Sequence, residues 1–256
     1  MGRLDGRVAI VTGAARGIGA AEAVRLAQDG ADVAVFDILA DQLHDTITRV
    51  TAAGVRAMPV VCDVTNSAQV KESVETVVEH FGHIDILVNN AGVLRDNLLF
   101  KMSDDDWDTV IDIHLKGTFL CTREAQKFMV KQRYGKIVMT SSISALGNRG
   151  QSNYSSAKAG LQGMARTMAI ELGPFNINVN VVAPGFIVTD MLHQMAARMG
   201  KTFEELQGDI AKMIPMRRLG TVEDIASVVA FLASDDAAYI SGETIYIAGG
   251  PVGVLM

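Results

Sequence analysis

Short apolar, β-branched runs recur along the chain at Val8–Thr12, Asp32–Phe36, Ala57–Val61, Ile84–Val88, Lys136–Thr140, Ile177–Val182 and Thr244–Ile247. They are apolar almost throughout, as strands buried on both faces of a parallel sheet should be. Segments of helical period lie between them, at Gly17–Gln28, Ala40–Ala53, Ser67–Phe81, Asp104–Gln132, Ser155–Leu172 and Val222–Ala233. This alternation predicts an α/β, doubly wound parallel sheet with helices on both faces. No linker, repeat or low-complexity tract interrupts it, so residues 1–256 read as one domain. The rhythm breaks over Phe186–Met216, which follows a strand end and carries Met191, Met195, Met199, Met213 and Met216. Loops at the carboxyl ends of such strands bind ligands, and a flexible Met-lined flap suits an apolar one. Ordinary helix packing accounts for the same methionines equally well.

Composition narrows the function classes. Charge is 23 basic against 29 acidic side chains, net −6, with a pI near 5.4 and mean hydropathy +0.23. That balance leaves no electrostatic footprint for nucleic acid or anionic lipid. Cys62 and Cys121 lack C-x-x-C spacing, and the five histidines lack ligand spacing, so neither a disulfide framework nor a metal site is expected. The N-terminus has no signal-peptide pattern and no run approaches a membrane span, which predicts a cytoplasmic protein.

The first strand runs into Thr12-Gly13-Ala14-Ala15-Arg16-Gly17-Ile18-Gly19 and then a helix. Glycines at this turn let the backbone approach a diphosphate, and the helix start offers free N–H groups. The pattern is looser than G-x-G-x-x-G, but strand before and helix after make a Rossmann-type dinucleotide site the reading. Asp37 ends the second strand, where a carboxylate can accept ribose hydroxyls and repel a 2′-phosphate; capping the next helix is its other use. Arg16 argues the other way, since it could reach that phosphate. The balance favours NAD over NADP. Asp63-Val64 and Asn89-Asn90-Ala91-Gly92 end the next two strands, where they could meet adenine or simply make turns.

Tyr154 and Lys158 stand four apart, on one helix face. A cation beside a phenol stabilises the phenolate and lowers a pKa that is ordinarily near 10. A phenol so tuned exchanges a proton with a carbonyl or alcohol oxygen as hydride moves. Ser141, at the end of the Lys136–Thr140 strand, could hold that oxygen; Ser142 and Ser144 compete, and spacing does not separate them. No G-x-S-x-G elbow surrounds any of these, which disfavours a serine hydrolase.

These pieces together resemble the short-chain dehydrogenase/reductase family over essentially the whole chain. The matching segments are TGAARGIG at Thr12–Gly19, NNAG at Asn89–Gly92, Ser141, YSSAK at Tyr154–Lys158 and PGFIVTD at Pro184–Asp190. The resemblance implies Ser141 as the carbonyl-polarising residue, Tyr154 as acid/base, and Lys158 as its tuner and a nicotinamide-ribose ligand. It also implies that the Pro184-Gly185 turn, Ile187 and Thr189 meet the nicotinamide end. One departure stands out: His114 occupies the place of the family's tetrad Asn, as in (3R)-hydroxyacyl-CoA dehydrogenases. It is a candidate water holder in a proton relay, titrating near 6.5, or else a packed core histidine.

Segments Gly92–Leu99 and Gly147–Asn153 resemble 3-oxoacyl-acyl-carrier-protein reductases. Arg133 matches one of their carrier-docking positions and Phe175 departs from the other, which leaves carrier docking open, and Asp37 departs from their NADPH preference. The leading expectation is therefore NAD-linked interconversion of a secondary alcohol and a ketone, foremost a 3-oxoacyl/3-hydroxyacyl thioester. Dehydrogenation of a small alcohol, diol, sugar or steroid is one alternative, and a dinucleotide-binding regulator without turnover is another. The helices Asp104–Gln132 and Ser155–Leu172 resemble the family's dimer helices. With the apolar tail Pro251–Met256, they point to a homotetramer.

Overall fold

The structure is a computed structural model and describes residues 2–189, 192, 196 and 200–252. Seven parallel strands make one sheet: β1 (Val8–Thr12), β2 (Asp32–Asp37), β3 (Ala57–Val61), β4 (Ile86–Asn89), β5 (Gly135–Thr140), β6 (Ile177–Pro184) and β7 (Thr244–Ile247). Their order is β3-β2-β1-β4-β5-β6-β7, so the winding reverses between β1 and β4 and opens a crevice at the carboxyl ends of those strands. The helices are α1 (Gly17–Gln28), α2 (Leu43–Thr51), α3 (Ser67–Phe81), α4 (Asp104–Ile111), α5 (Gly117–Gln132), α6 (Ser152–Leu172), α7 (Phe203–Met213) and α8 (Val222–Leu232).

Both faces of the sheet are covered. Leu26 of α1, Val50 of α2 and Val229 of α8 pack with Val33, Ile86 and Val138 on one side. Val74 of α3, Leu120 of α5 and Leu161 of α6 pack with Ile10, Leu87 and Ile137 on the other. Burial on both faces holds for the central strands and fails at the edges. β3 leaves Val61 58% exposed, and its Pro59, which cannot donate to a ladder, fits an edge. β7 is half-buried throughout.

Three segments depart from the sequence reading. The long helix expected over Asp104–Gln132 is interrupted by a π-helical turn at Asp112–Lys116. Ala40–Ala53 begins with a 3-10 turn before α2. The Phe186–Met216 segment is more than a loop: it contains α7, started by a Thr202–Glu205 capping box. Leu206 and Ile210 of α7 build a small separate core with Leu192, Ala196, Ile214 and Leu219. Met191, Met195 and Met199 lie outside the described residues, as does most of the apolar tail, 253–256.

Candidate active site

The glycine turn is built for close approach. Gly13 has φ +64°, and a Cβ there would fall 2.7 Å from Ala91 Cα. A Cβ on Gly19 would fall 2.3 Å from the Gly13 carbonyl oxygen. Gly17 has φ +60° and open space where its Cβ would be. α3, α4, α7 and α8 each begin with a side-chain cap, whereas α1 has none, so the first N–H groups beside Gly17 and Ile18 remain available to a phosphate. This cradle fits a dinucleotide.

The residues around the turn hold it in shape. Asn90 Nδ2 donates to the Thr12 and Gly13 carbonyls, both at 3.1 Å, and Thr12 Oγ1 accepts from Asn90 N and Ala91 N. Asp37 accepts from Ala15 N with one oxygen and Leu39 N with the other, at 3.0 Å each, so it caps and pins at once. Arg16, next in the chain to Ala15, is exposed. Asp63 folds back on Thr65, and Val64 is buried, packed where a Cβ on Gly117 would meet it. At the far end of the crevice Gly185 sits too close to Ala248 for a side chain, Pro184 ends β6, and Ile187 is bridged to Gly220, with Thr189 two residues on.

The chemistry-bearing side chains gather at the carboxyl end of β5. Lys158 is 3% exposed, donates from Nζ to the Thr140 carbonyl, and stands 5.4 Å from the centre of the Tyr154 ring. Asn153, fully buried, fixes the start of α6: Nδ2 donates to the Arg95 and Asp106 carbonyls, and Oδ1 accepts Tyr154 N at 2.8 Å.

The two adjacent serines are placed differently. Ser141 Oγ points into α6, donating to the Lys158 carbonyl at 2.8 Å and accepting Gln162 Nε2 at 3.3 Å, and it is 2% exposed. Ser142 instead acts on the Tyr154 phenol, drawing its pKa down, and its Oγ accepts from Ser144 N at 3.1 Å. Its backbone is extended (φ −164°, ψ 158°), and neighbouring side chains along extended chain face opposite ways, so only one of the pair can reach the site.

The electrostatics also differ from expectation. Burial pushes the Tyr154 phenol up to about 12, Ser142 pulls the other way, and the Asp96 charge adds to the rise. Burial draws Lys158 down to about 7, opposed by Glu22. Desolvation thus dominates at the phenol, in place of the lowering expected from the neighbouring cation.

His114 lies in the π-helical turn, 2% exposed, with its ring edge-on to Tyr154 at 5.2 Å between centroids. Its Nε2 is 3.0 Å from the Val93 N–H and 2.8 Å from the Val93 carbonyl; it serves one of them according to tautomer. Its Nδ1 is buried without a partner. Gly92 has no room for a side chain because a Cβ would fall 2.2 Å from His114 Cε1. Burial, then the Lys158 charge, hold the imidazole well below its usual range, so it does not titrate near 6.5.

Arg133 and Phe175 are not part of this cluster. They precede the amino ends of β5 and β6, opposite the catalytic end, and the Arg133 guanidinium donates to the Pro174 carbonyl beside the Phe175 ring. Among the described residues no His/Cys/Asp/Glu group could hold a metal, and no helix is long and apolar enough to cross a membrane.

A family model described as Enoyl-(Acyl carrier protein) reductase matches residues 13–251. The 3-oxoacyl-[acyl-carrier-protein] reductase FabG of Thermotoga maritima is 44% identical over 251 residues, covering 98% of this chain and 99% of that one. The chain belongs to the short-chain dehydrogenase/reductase family. Another relative, the (2S)-[(R)-hydroxy(phenyl)methyl]succinyl-CoA dehydrogenase subunit BbsD of Thauera aromatica, is 43% identical over 96% of this chain and 97% of its own. The solved structure of NAD+-bound xylitol dehydrogenase superposes with a TM-score of 0.91 at 33% identity, covering 96% of this chain and 99% of that one. This short-chain dehydrogenase/reductase is an oxidoreductase that uses a nicotinamide dinucleotide.

Proposed function

We propose that this enzyme interconverts a 3-oxoacyl and a 3-hydroxyacyl thioester, with NAD(H) as the favoured cofactor and NADP(H) the lesser alternative. The observation that carries the reading is the meeting of Ser142, Tyr154 and Lys158 at the end of β5, beside the glycine cradle. The thioester is supported by two relatives whose names specify one, an acyl-carrier-protein substrate and a CoA substrate. A CoA thioester is preferred over a carrier protein because Arg133 and Phe175 lie at the opposite end of the sheet.

Gly13, Gly17, Ile18 and Gly19 hold the diphosphate, Asp37 the adenosine ribose, and Asp63 and Val64 the adenine. Asn90, Ala91 and Gly92 line the crevice floor, Tyr154 and Lys158 take the second ribose, and the strand end from Pro184 to Thr189 takes the nicotinamide. When bound, the cofactor supplies or accepts the hydride. Tyr154 gives a proton to the ketone oxygen, or takes one from the alcohol, while Ser142 holds that oxygen. The Lys158 ammonium stabilises the phenolate left behind.

The enzyme works as a single-domain protomer in a cytoplasmic homotetramer. Phe100 (79% exposed), Ile170 (78%) and the half-open Phe119 leave the α4–α6 side apolar enough for a second copy, and the free buried Cys62 and Cys121 suit a reducing compartment. The decisive experiment follows NADH and NADPH oxidation by purified enzyme with acetoacetyl-CoA, small ketones, polyols and steroids. Turnover of acetoacetyl-CoA with NADH far above the other substrates supports the proposal, and turnover confined to non-thioesters refutes it.

A further inference from the structure

Glu22 is out of place on chemical grounds. It lies in α1 amid alanines and valines, is 0% exposed, and both carboxyl oxygens lack any partner. A carboxyl so placed ordinarily costs free energy unless its charge is answered by something nearby. Its position narrows what that is. Glu22 stands three residues beyond Gly19, on the same helix face, and Gly19 is pressed against Gly13 and Asn90 at the ends of β1 and β4. β5 lies beside β4 in register, Asn89 against Met139. Thr140 ends β5, and by strand alternation its side chain shares the α1 side with Val138. Its Oγ1 is also buried without a partner, while its carbonyl accepts the Lys158 ammonium.

The other charged groups around α1 are spoken for. Arg25 is taken by Asp29 and Ser227, Asp224 of α8 by Arg218 and Thr221, and Asp45 of α2 by Arg49. Asp37 of β2 holds two backbone N–H groups, β1 carries no charge, and Glu223 of α8 is exposed. On the far side Lys158 faces Tyr154 and the uncharged His114.

We propose that Glu22 is a positioning residue of the proton-transfer site: its carboxylate, behind the ends of β4 and β5, is the countercharge that keeps Lys158 an ammonium. Burial pushes the Glu22 carboxyl up with the Lys158 charge opposing, the reciprocal of the pull that Glu22 exerts on Lys158, so each charge favours the other. The inference rests on the acid/base role assigned to Tyr154 and Lys158 above.

The test uses the full-length enzyme with Glu22→Gln, which keeps shape and removes charge, and Glu22→Ile, which suits the apolar surroundings should the amide impair folding. The Lys158 amine is titrated by NMR on protein carrying 13Cε-lysine, with Lys158→Met assigning the signal. Removing the carboxylate should lower its midpoint by about one pH unit. The alkaline limb of kcat/KM for acetoacetyl-CoA reduction should move down equally, because that limb marks loss of the ammonium. A Lys158 midpoint unmoved in both variants overturns the proposal. The titration needs no turnover, so an enzyme inert toward acetoacetyl-CoA would sink the substrate reading and leave Glu22 to be decided by NMR.

Discussion

The cofactor cradle and the catalytic floor adjoin, yet they treat polar groups in opposite ways. In the cradle Thr12, Asp37, Asp63 and Asn90 spend their side chains on backbone groups, and the geometry is over-determined. On the floor, and behind it in α1 where Glu22 lies, are the buried side-chain atoms without partners: Glu22, Asn89 Oδ1, His114 Nδ1, Thr140 Oγ1 and Ser155 Oγ. The shifted titratable groups Tyr154, Lys158, His114 and Glu22 are there too. A saturated network fixes shape, whereas unpaired groups in low dielectric keep the capacity to change charge. Changes in the cradle should therefore alter binding, and changes on the floor should alter rate.

The largest effect is expected at Tyr154. Tyr154→Phe removes the acid/base group and leaves the glycine turn intact, so kcat should fall by about 10³-fold or more while cofactor Kd changes little. Pre-steady-state hydride transfer with separate cofactor titration checks this. A residual rate within tenfold of wild type would break the division between the two regions.

The adjacent serines give the next contrast. Ser142→Ala should lower kcat/KM by about 10²-fold with Tm unchanged, since Ser142 supports the phenol. Ser141→Ala should keep kcat within a few-fold and cost about 1 kcal/mol, because it deletes a buried bond to the Lys158 carbonyl. Thermal melts beside steady-state kinetics separate the two. The reverse pattern would restore Ser141 to the site.

His114 sharpens the comparison further. His114→Asn should keep most activity, and His114→Leu should lower kcat by about 10- to 100-fold, roughly 1.4–2.7 kcal/mol. No kcat limb from the imidazole is expected near pH 6.5, because its folded value lies well below that. Stability behaves differently. A folded value below the unfolded one means the unfolded chain binds more protons, so stability is full above about 6.5 and declines as pH falls toward the folded value. The Asn variant should lose this part of the acid decline, measurable as Tm at pH 5 and pH 7.5. A Leu variant with unchanged kcat and lower Tm would leave His114 a packing residue.

How much of this was legible in the sequence depends on the range of the forces involved. The strand–helix alternation was, because each central strand and helix is set by local apolar period, and α1 and α3 match the predicted bounds. The Tyr154/Lys158 pair was, because four residues on a helix is local geometry. The choice between Ser141 and Ser142 was not, since the strand end at Thr140 is the same in both and the difference lies in which side chain meets α6 and which the phenol across space. The π-helical turn at Asp112–Lys116 was hidden for a similar reason: it is settled by what His114 and Gly117 meet across space. The lowered phenol pKa failed because spacing shows a neighbouring cation and does not show the burial that opposes it. Glu22 did leave a sequence signal, a carboxylate on the same helical face as Gly19, Ala23 and Leu26, which was overlooked.

The smallest expected effect belongs to Asp37, in the saturated region. Its two oxygens hold Ala15 N and Leu39 N, and in the proposed function this carboxylate meets the adenosine ribose and repels a 2′-phosphate. Wild type should favour NAD(H) over NADP(H) in kcat/KM by at least about tenfold, some 1.4 kcal/mol. Asp37→Ser should remove the repulsion and most of that preference. The change should appear in KM and leave saturated kcat nearly intact, because nothing on the catalytic floor moves. Steady-state kinetics with both cofactors on both proteins reads this directly. Equal use of the two by wild type would remove Asp37 as the selector, and a loss confined to kcat would mean that the cradle and the floor are not separable.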